Sequence, residues 1–312
     1  MNVLHKTKRP PEAETVQEVE RLSRRSRRVH DFIHSLFFSG PSFLGMLIFF
    51  IIPFGVVVYY SFISGALDHS FAGLKNYISV IQNGAFKIAV KNTAVFSALS
   101  VPLAVILALA LALMLEARIP FKSQFRTFFL SPMMVPIASI ILVWQVLFHD
   151  NGVVNEVLKA FGQDKIYWFS SNASLLVIVI LFLWKNLGYN MILFMAALNN
   201  VPKAMLEAAE VEGASEWTQF VHIKLRYLSP TILFVTILSI INSFKVFREI
   251  YLLTGNYPYD SLYMLQHFMN NMFQQLDYQK LSAAAVLLAI VIVILIAILF
   301  AVENFFGKDV EG

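Results

Sequence analysis

Six long runs of apolar residues divide the chain, and in none of them do apolar and polar residues alternate with a period of two. A helix that crosses a bilayer needs about 20 mostly apolar residues, and every run is about that long. The apolar character extends all round each segment, as in a lipid-facing helix and unlike a barrel strand. The runs are 41–63, 92–115, 127–148, 174–198, 230–253 and 282–302. We therefore predict an all-α membrane protein with six transmembrane helices.

The composition supports a membrane protein. Charged residues make up 14% of the 312 residues and hydrophobic residues 58%, whereas a soluble globular protein has about a quarter charged residues. The chain has no cysteine, which excludes disulfides, thiolate catalysis and zinc–thiolate sites. The first apolar run follows a charge-rich segment and is too long for the core of a cleaved signal peptide, so we expect it to be retained.

The distribution of Lys and Arg predicts that both termini are cytoplasmic. With the N-terminus inside, the inner segments hold 15 of these residues and the outer segments 6, which agrees with the positive-inside rule. Most of the inner excess lies in the N-terminal segment. The predicted domains are a basic cytoplasmic tail at 1–40, a six-helix membrane domain at 41–306 and a short C-terminal tail at 307–312.

The N-terminal tail contains a segment, 12–39, that reads as a helix between two breaks at proline or glycine. Its basic residues suit an anionic inner leaflet, and its apolar residues near the end suit burial in the membrane interface. A solvated basic stretch that only sets the topology fits the same pattern. The basic cluster is Arg21, Arg24, Arg25, Arg27 and Arg28, and the apolar residues are Phe32, Ile33, Leu36 and Phe37.

The loop at 199–229 is the longest predicted inner segment between spans, and its residues predict two short helices. Pro202 fits the first turn of a helix, and Gly213 fits the left-handed residue that ends one. Ser215 then fits an N-cap, with Glu216 in the first turn of a second helix. The loop has no nucleophile paired with a base. It therefore suits a rigid elbow that docks on another protein rather than a catalytic loop.

The stretch Glu207-Ala208-Ala209, followed by Gly213, resembles the EAA loop of binding-protein-dependent ABC importer permeases. It lies between the fourth and fifth of six predicted spans, on the predicted cytoplasmic side. One departure is Arg226, where the family usually has proline after an Ile-x-Leu pair. The neighbouring residues that also match are Val201, Pro202, Trp217, Phe220, Ile223, Leu225 and Pro230, the last expected to open the fifth span.

This resemblance implies a type I ABC importer permease in a bacterial cytoplasmic membrane. It also implies that ATP hydrolysis, translocation and solute delivery belong to different subunits. The helix of the EAA loop would couple to a cytoplasmic ATPase dimer, and a second permease subunit would supply the other half of the translocation path in a heterodimer. A soluble extracytoplasmic binding protein would deliver the solute. The chain has no Gly-x-x-x-x-Gly-Lys-Ser/Thr motif, so ATP and Mg²⁺ are expected on the ATPase. No catalytic residue, metal, bound cofactor or nucleic acid is expected here, and lipid surrounds the chain.

Within the family, the chain resembles the branch that transports maltose, other oligosaccharides and glycerol 3-phosphate. The matching residues are the Ser-Pro-Met-Met-Val-Pro stretch at 131–136, Trp184, and the Leu-Leu-Thr-Gly stretch at 252–255. The branch often has a Gly-Gly-Pro run at this last place, which the Gly-Asn-Tyr-Pro stretch at 255–258 matches in part. The resemblance is to the permease half that bears the maltose site, which implies a carbohydrate solute.

Polar residues inside spans are costly and usually face a cavity or a partner helix. By the same resemblance, the third and fourth runs supply solute-facing positions. They are Met133 and Ile137 in the third run and Lys185, Asn186 and Tyr189 in the fourth. Further candidates are Asn190, Asn242, Lys245, Arg248 and Glu249. Each has a structural alternative, since Asn often joins helices and Tyr anchors at interfaces, and Lys245 and Glu249 have the i,i+4 spacing of an ion pair.

The predicted spans hold three cations, Lys185, Lys245 and Arg248, but one carboxylate, Glu249. Lys and Arg pair well with carboxylate or phosphate. An acidic oligosaccharide or a sugar phosphate is therefore our hypothesis for the solute, although charge pairing with the second permease subunit explains the same residues.

Two other classes fit the sequence less well. A secondary carrier would show inverted repeats and an intramembrane carboxylate relay, whereas the spans hold one carboxylate and no convincing repeat. A membrane-embedded enzyme would need clustered catalytic groups, whereas the seven histidines are scattered without metal-ligand spacing. Among ABC importers, a permease for an amino acid or phosphate is the nearest alternative.

Overall fold

The structure is a computed structural model that describes residues 37–65, 68, 70–116 and 121–307, with side chains as far as 304. The predicted interfacial helix at 12–39 lies outside this range except for its last three residues, and the C-terminal tail lies outside it except for Gly307. Within the described ranges no β-strand forms, and an isolated antiparallel bridge joins Ile63 to Phe71.

Helices account for most of the described residues. In chain order they are α1 (Phe37–Ser61), α2 (Lys75–Gln82), α3 (Gly84–Glu116), α4 (Lys122–Met134), α5 (Ile137–Leu147), α6 (Val153–Ala160), α7 (Ser174–Leu198), α8 (Lys203–Val211), α9 (Glu216–Gln219), α10 (Leu225–Phe244), α11 (Phe247–Thr254), α12 (Leu265–Gln274) and α13 (Tyr278–Gly307). Among the described residues, five helical stretches are long and apolar enough to cross a membrane: α1, α3, α7, α9–α11 and α13.

The chain divides into two compact units, with the boundary after Tyr59. The first unit contains α1 as far as Tyr59. This helix has no acidic or basic residue, and it contains a π-helical turn at Leu47–Ile51. The cavity, the loop and the packing described below all belong to the second unit, which begins at Tyr60.

The third apolar run does not form the continuous helix that its length predicts. Helices α4 and α5 are bent by 101° at the break between Met134 and Ile137, and the pair provides a sixth candidate span only if both count as one. Pro136 has no backbone N–H and forces the preceding residue out of the helical region. Val135 is accordingly extended, with φ −92° and ψ 132°.

The fifth run also differs from the prediction, because Pro230 lies inside α10 rather than at the start of a helix. The helical stretch begins at Glu216, passes through a π-helical turn at Phe220–Lys224, and reaches Thr254. A turn at Lys245 and Val246 separates α10 from α11. The membrane helix is therefore continuous with the second helix of the loop at 199–229.

The core of the second unit lies where α3 packs along α7. Four small residues at successive i,i+4 positions on α3 are fully buried, which allows the two backbones to approach closely. They are Ser100, Ala104, Ala108 and Ala112. Large side chains from α7, including Phe182 and Phe194, fill the space beside this stripe. This packing fixes α7, which supplies several of the predicted site residues.

The ends of the helices meet in two groups. At one end, Ser174 of α7 bonds Ser261 over 2.8 Å, and Asn92 of α3 donates to the carbonyl of Tyr263 over 3.1 Å. At the other end, Lys224 beside α10 pairs with Glu116 of α3 over 2.8 Å. The loop at 199–229 therefore lies at the Glu116 end of α3, which agrees with the alternation predicted from the apolar runs.

The first turn of α12, which lies outside the candidate spans, contains the fully buried His267. Its Nδ1 accepts a hydrogen bond from the backbone N–H of Met264 over 3.2 Å, and its ring packs edge-on against Phe247 of α11. Burial lowers the pKa of His267 from its usual 6.5 to about 4, because a charged imidazole would lose its hydration there.

The buried imidazole predicts a loss of stability in mild acid. Below pH 6.5 the imidazole of His267 binds a proton in the unfolded chain, whereas in the folded chain it stays neutral down to about pH 4. The free energy of unfolding therefore falls as the pH drops through this window. The full effect is about 3 kcal/mol. Thermal unfolding of the purified chain between pH 7.5 and 4.5 should show this slope, and His267→Gln should flatten it. An equal slope in both proteins would place the titration elsewhere.

Candidate functional site: a membrane cavity and an exposed loop

A cavity of about 470 Å³ opens between α7, the α10–α11 junction and α12. Its volume lies within the range of about 300–1,000 Å³ typical of small-molecule sites. Seven of the ten residues predicted to face a solute line it: Met133, Lys185, Asn186, Asn242, Lys245, Arg248 and Glu249. The structure thus brings residues from the third, fourth and fifth apolar runs to one wall.

Glu249 is the central charge of this cavity. Its side chain is only 6% exposed, and its Oε1 accepts a short hydrogen bond from the Nζ of Lys185 on α7. The guanidinium of Arg248 lies 4.0 Å from the same oxygen and is 64% exposed. The i,i+4 spacing suggested Lys245 as the partner of Glu249, and this is wrong, because the turn between α10 and α11 interrupts the helical register.

Two asparagines join the helices at the cavity wall. Asn242 of α10 donates its Nδ2–H to the Oδ1 of Asn186 on α7 over 3.0 Å. The Nδ2 of Asn186 in turn donates to the carbonyl of Phe182 over 2.8 Å. Each side chain therefore serves as helix contact and as cavity lining, and the Oδ1 of Asn242 is the atom of the pair without a described donor.

Three predicted residues do not line this cavity. Asn190 is buried and donates to the Oγ of Ser239 on α10 over 3.0 Å, which is the helix-joining role. Ile137 packs at the edge of a core cluster that includes Ile140 and Trp144. Tyr189 is 37% exposed.

Sequence reasoning missed four lining residues: Leu181, Phe182, Val246 and Gln266. The first three are apolar residues within spans, and the sequence gives no sign of which side of a helix they occupy. Gln266 lies on α12, outside every apolar run, and the packing of α12 against α3, α11 and α13 places it at the cavity.

Removal of Lys185 should destabilise the chain. Lys185→Met leaves the Glu249 carboxylate buried without its closest cation, and a buried charged group that loses its partner costs about 1–3 kcal/mol or more. We expect thermal unfolding in detergent to report a loss of about 2 kcal/mol. The matched control is Lys280→Met, which breaks a more exposed pair with Asp277 of 2.7 Å and should cost less than about 1 kcal/mol. Equal losses in both variants would contradict the buried pair.

The loop at 199–229 forms the predicted helix, glycine turn and helix. Helix α8 ends at a turn in which Gly213 has φ +85°, and its N–H donates to the carbonyl of Glu210 over 3.0 Å. The Oγ of Ser215 then accepts a hydrogen bond from the N–H of Thr218 over 3.2 Å and caps α9. The turn brings α8 and α9 into a fixed elbow.

This elbow exposes apolar side chains and is tied to the membrane helices. No residue of α8 is buried, and Val211 and Trp217 are 90% and 72% exposed. The hydroxyl of Tyr227 on α10 contacts the Sδ of Met205 on α8 over 3.0 Å, and the Lys224–Glu116 pair holds the end of the loop. A rigid, exposed, partly apolar elbow of this kind suits docking on another protein.

Residues 100–312 match the protein family described as binding-protein-dependent transport system inner membrane component. The match includes the cavity and the elbow. Among curated proteins, the chain is 28% identical to the arabinooligosaccharides transport system permease protein AraP of Bacillus subtilis, over 85% of this chain and 86% of that protein. It is 27% identical to the lactose transport system permease protein LacF of Rhizobium radiobacter, over 91% and 96% of the two chains.

The fold also matches a solved structure. A chain in the crystal structure of a bacterial ABC transporter involved in the import of the acidic polysaccharide alginate superposes with a TM-score of 0.76. The match covers 89% of this chain and 98% of that chain, at 21% sequence identity. The described helices therefore share the fold of that chain.

Proposed function

The chain belongs to the family of binding-protein-dependent transport system inner membrane components, and on this premise we propose that it is the permease subunit of an ATP-driven importer for a carbohydrate. The observation that carries the proposal is the exposed elbow between α7 and α10 inside the family match. The solute class follows from relatives named for arabinooligosaccharides and lactose, which are similar to this chain over most of its length. These relatives favour a sugar over an amino acid or phosphate.

The proposed topology has six spans with both termini in the cytoplasm of a bacterium. The five long apolar helices and the bent pair α4–α5, counted as one span, supply the six crossings. The excess of Lys and Arg on the elbow side of the predicted topology supports a cytoplasmic elbow. The membrane domain would then extend over 41–306, with the basic tail at 1–40 and the last residues at 307–312 inside the cell.

The proposed partners follow from the elbow and the open cavity. Glu207, Ala208 and Ala209 on α8, with Gly213 at the turn, would seat in a dimeric ATPase that binds ATP and Mg²⁺. A second permease subunit would close the other side of the solute path, and an extracytoplasmic binding protein would deliver the solute. A solved alginate ABC transporter, one chain of which matches this fold with a TM-score of 0.77, is in complex with an alginate pentasaccharide-bound periplasmic protein, and this supports the proposed binding protein.

The solute path would pass along the cavity wall. Asn186, Asn242 and Gln266 offer amide groups that can hydrogen-bond sugar hydroxyls. A mostly apolar cavity with a few placed polar groups is the usual form of a small-molecule site. Met133, at the end of α4 beside the bend, would make the path sensitive to any movement of the α4–α5 pair.

Co-purification with the co-encoded neighbours tests this function. ATP hydrolysis would be measured in lipid nanodiscs with and without a solute-loaded binding protein. The proposal expects an ATPase to co-purify and hydrolysis to rise when the loaded binding protein is added. A chain that transports without an associated ATPase would instead be a secondary carrier, and the proposal would fail.

A further inference from the structure

The charges of the cavity are not balanced among the described residues that line it. Its lining contains the three cations and the one carboxylate that the spans hold, so its net charge is positive. Glu249 is nearly buried and is held by Lys185 of α7. This pair is neutral as a unit, and it fixes the ammonium of Lys185 at the helix contact.

The other two cations are available to a solute. Lys245, at the α10–α11 junction, is exposed and forms no ion pair or side-chain hydrogen bond with any residue that the structure describes. Arg248, one helical turn further on, is 64% exposed and only reaches the edge of Glu249 at 4.0 Å. Both line the cavity together with the amides of Asn242 and Gln266.

Uncompensated cations at membrane depth are costly and usually mark a substrate path or a partner charge. Lys and Arg form their strongest hydrogen bonds with carboxylate and phosphate oxygens, and Arg binds them in a bidentate manner. An oxyanion that is part of the sugar would neutralise Lys245 and Arg248 only while the sugar occupies the path.

We propose that Lys245 and Arg248 bind an oxyanion carried by the sugar, either the carboxylate of a uronic acid or a phosphate, and that Lys185 serves only to hold Glu249. This inference rests on the proposed function, since it assigns the solute class of the same cavity. The neighbouring amides then bind hydroxyls of the same sugar. Pairing of Lys245 and Arg248 with carboxylates of the second permease subunit is the rival explanation, which the test below separates.

The test uses the full transporter, purified with its co-encoded subunits in nanodiscs and without the binding protein. Equilibrium binding at low and high salt would be measured for three probes: trigalacturonate, glucose 6-phosphate and maltotriose. The variants are Lys245→Gln and Arg248→Gln. The control is Lys159→Gln, which removes an exposed cation of α6 that does not line the cavity.

The proposal expects one acidic probe to bind at least roughly tenfold more tightly than maltotriose, and each cavity variant to lose roughly tenfold of that affinity, as for a charge-assisted hydrogen bond. Lys159→Gln should keep the wild-type preference. Preference for trigalacturonate would identify a carboxylate, and preference for glucose 6-phosphate a phosphate. Equal affinity for neutral and acidic probes, or binding of neither acidic probe, would overturn the proposal.

The variants could instead lose the second permease subunit during purification while their preference between acidic and neutral probes stays unchanged. This result would overturn the oxyanion proposal and show that the two cations pair with the second subunit. ATP hydrolysis measured on the same samples keeps the two proposals apart. Hydrolysis that still responds to a loaded binding protein would leave the importer function intact while the oxyanion site fails. Absence of any associated ATPase would remove the importer function itself.

Discussion

Gly188→Ala should strongly destabilise the protein, so that most of the molecules do not reach a stable fold. A Cβ atom at this position of α7 would lie 1.9 Å from the carbonyl oxygen of Phe129 and 2.5 Å from its carbonyl carbon. These are backbone atoms of α4, so the clash is relieved only if two helices separate. Overpacking in a well-packed interior costs about 1–3 kcal/mol, and displacement of a helix backbone places this case at about 3 kcal/mol or more.

The measurement is the yield of monodisperse protein in detergent and its midpoint of thermal unfolding. The matched control is Gly84→Ala at the start of α3, where an added Cβ would meet nothing within 4 Å. The control should keep the wild-type yield and midpoint. A Gly188→Ala variant that unfolds at the wild-type temperature would show that α4 and α7 do not pack this closely. It would also remove the support for Met133 at the cavity.

Gly213→Pro should abolish the stimulation of ATP hydrolysis by the loaded binding protein. Proline fixes φ near −65°, whereas Gly213 has φ +85°, and it removes the N–H that donates to the carbonyl of Glu210. The end of α8 must then open and reorient the Glu207–Gly213 segment. The cost is about 3 kcal/mol, so docking that needs the native elbow should weaken by roughly tenfold or more.

The control for this variant has the same backbone strain in another loop. Gly162, after α6, has φ +73° and donates its N–H to the carbonyl of Lys159 over 2.9 Å, so Gly162→Pro imposes an equal distortion away from the elbow. We expect Gly162→Pro to retain the ATPase during purification and Gly213→Pro to lose either the ATPase or its stimulation. Full stimulation in Gly213→Pro would contradict the coupling role of the elbow.

Local patterns predicted the helices and the elbow well, because each depends on neighbouring residues. Length and hydropathy located the apolar helices. Pro202 and Gly213 indicated the start and end of the first helix of the elbow, and Ser215 indicated the start of the second. Pro136 favours the bend between α4 and α5, whereas the length of the apolar run predicts a single continuous helix. A rule that counts apolar residues does not distinguish a straight helix from two helices at 101°.

Contacts between distant residues were beyond the sequence. The partner of Glu249 is Lys185, 64 positions away, whereas periodicity pointed to Lys245 within the same helix. Which side of α7 faces the cavity depends on the stripe of small residues on α3. The sequence therefore offers both Asn186, by resemblance, and Asn190, as a further polar candidate, although only Asn186 lines the cavity. Gln266 reaches the cavity through the packing of α12, which no local pattern encodes.

Uptake into proteoliposomes tests the central claim most directly. The chain would be reconstituted with its co-encoded permease and ATPase, with ATP inside or outside the vesicles and a labelled oligosaccharide bound to the binding protein. The claim predicts accumulation that requires ATP on the ATPase side and the binding protein on the other, and that is insensitive to ionophores. Accumulation driven by an ion gradient without ATP would contradict it and show a secondary carrier.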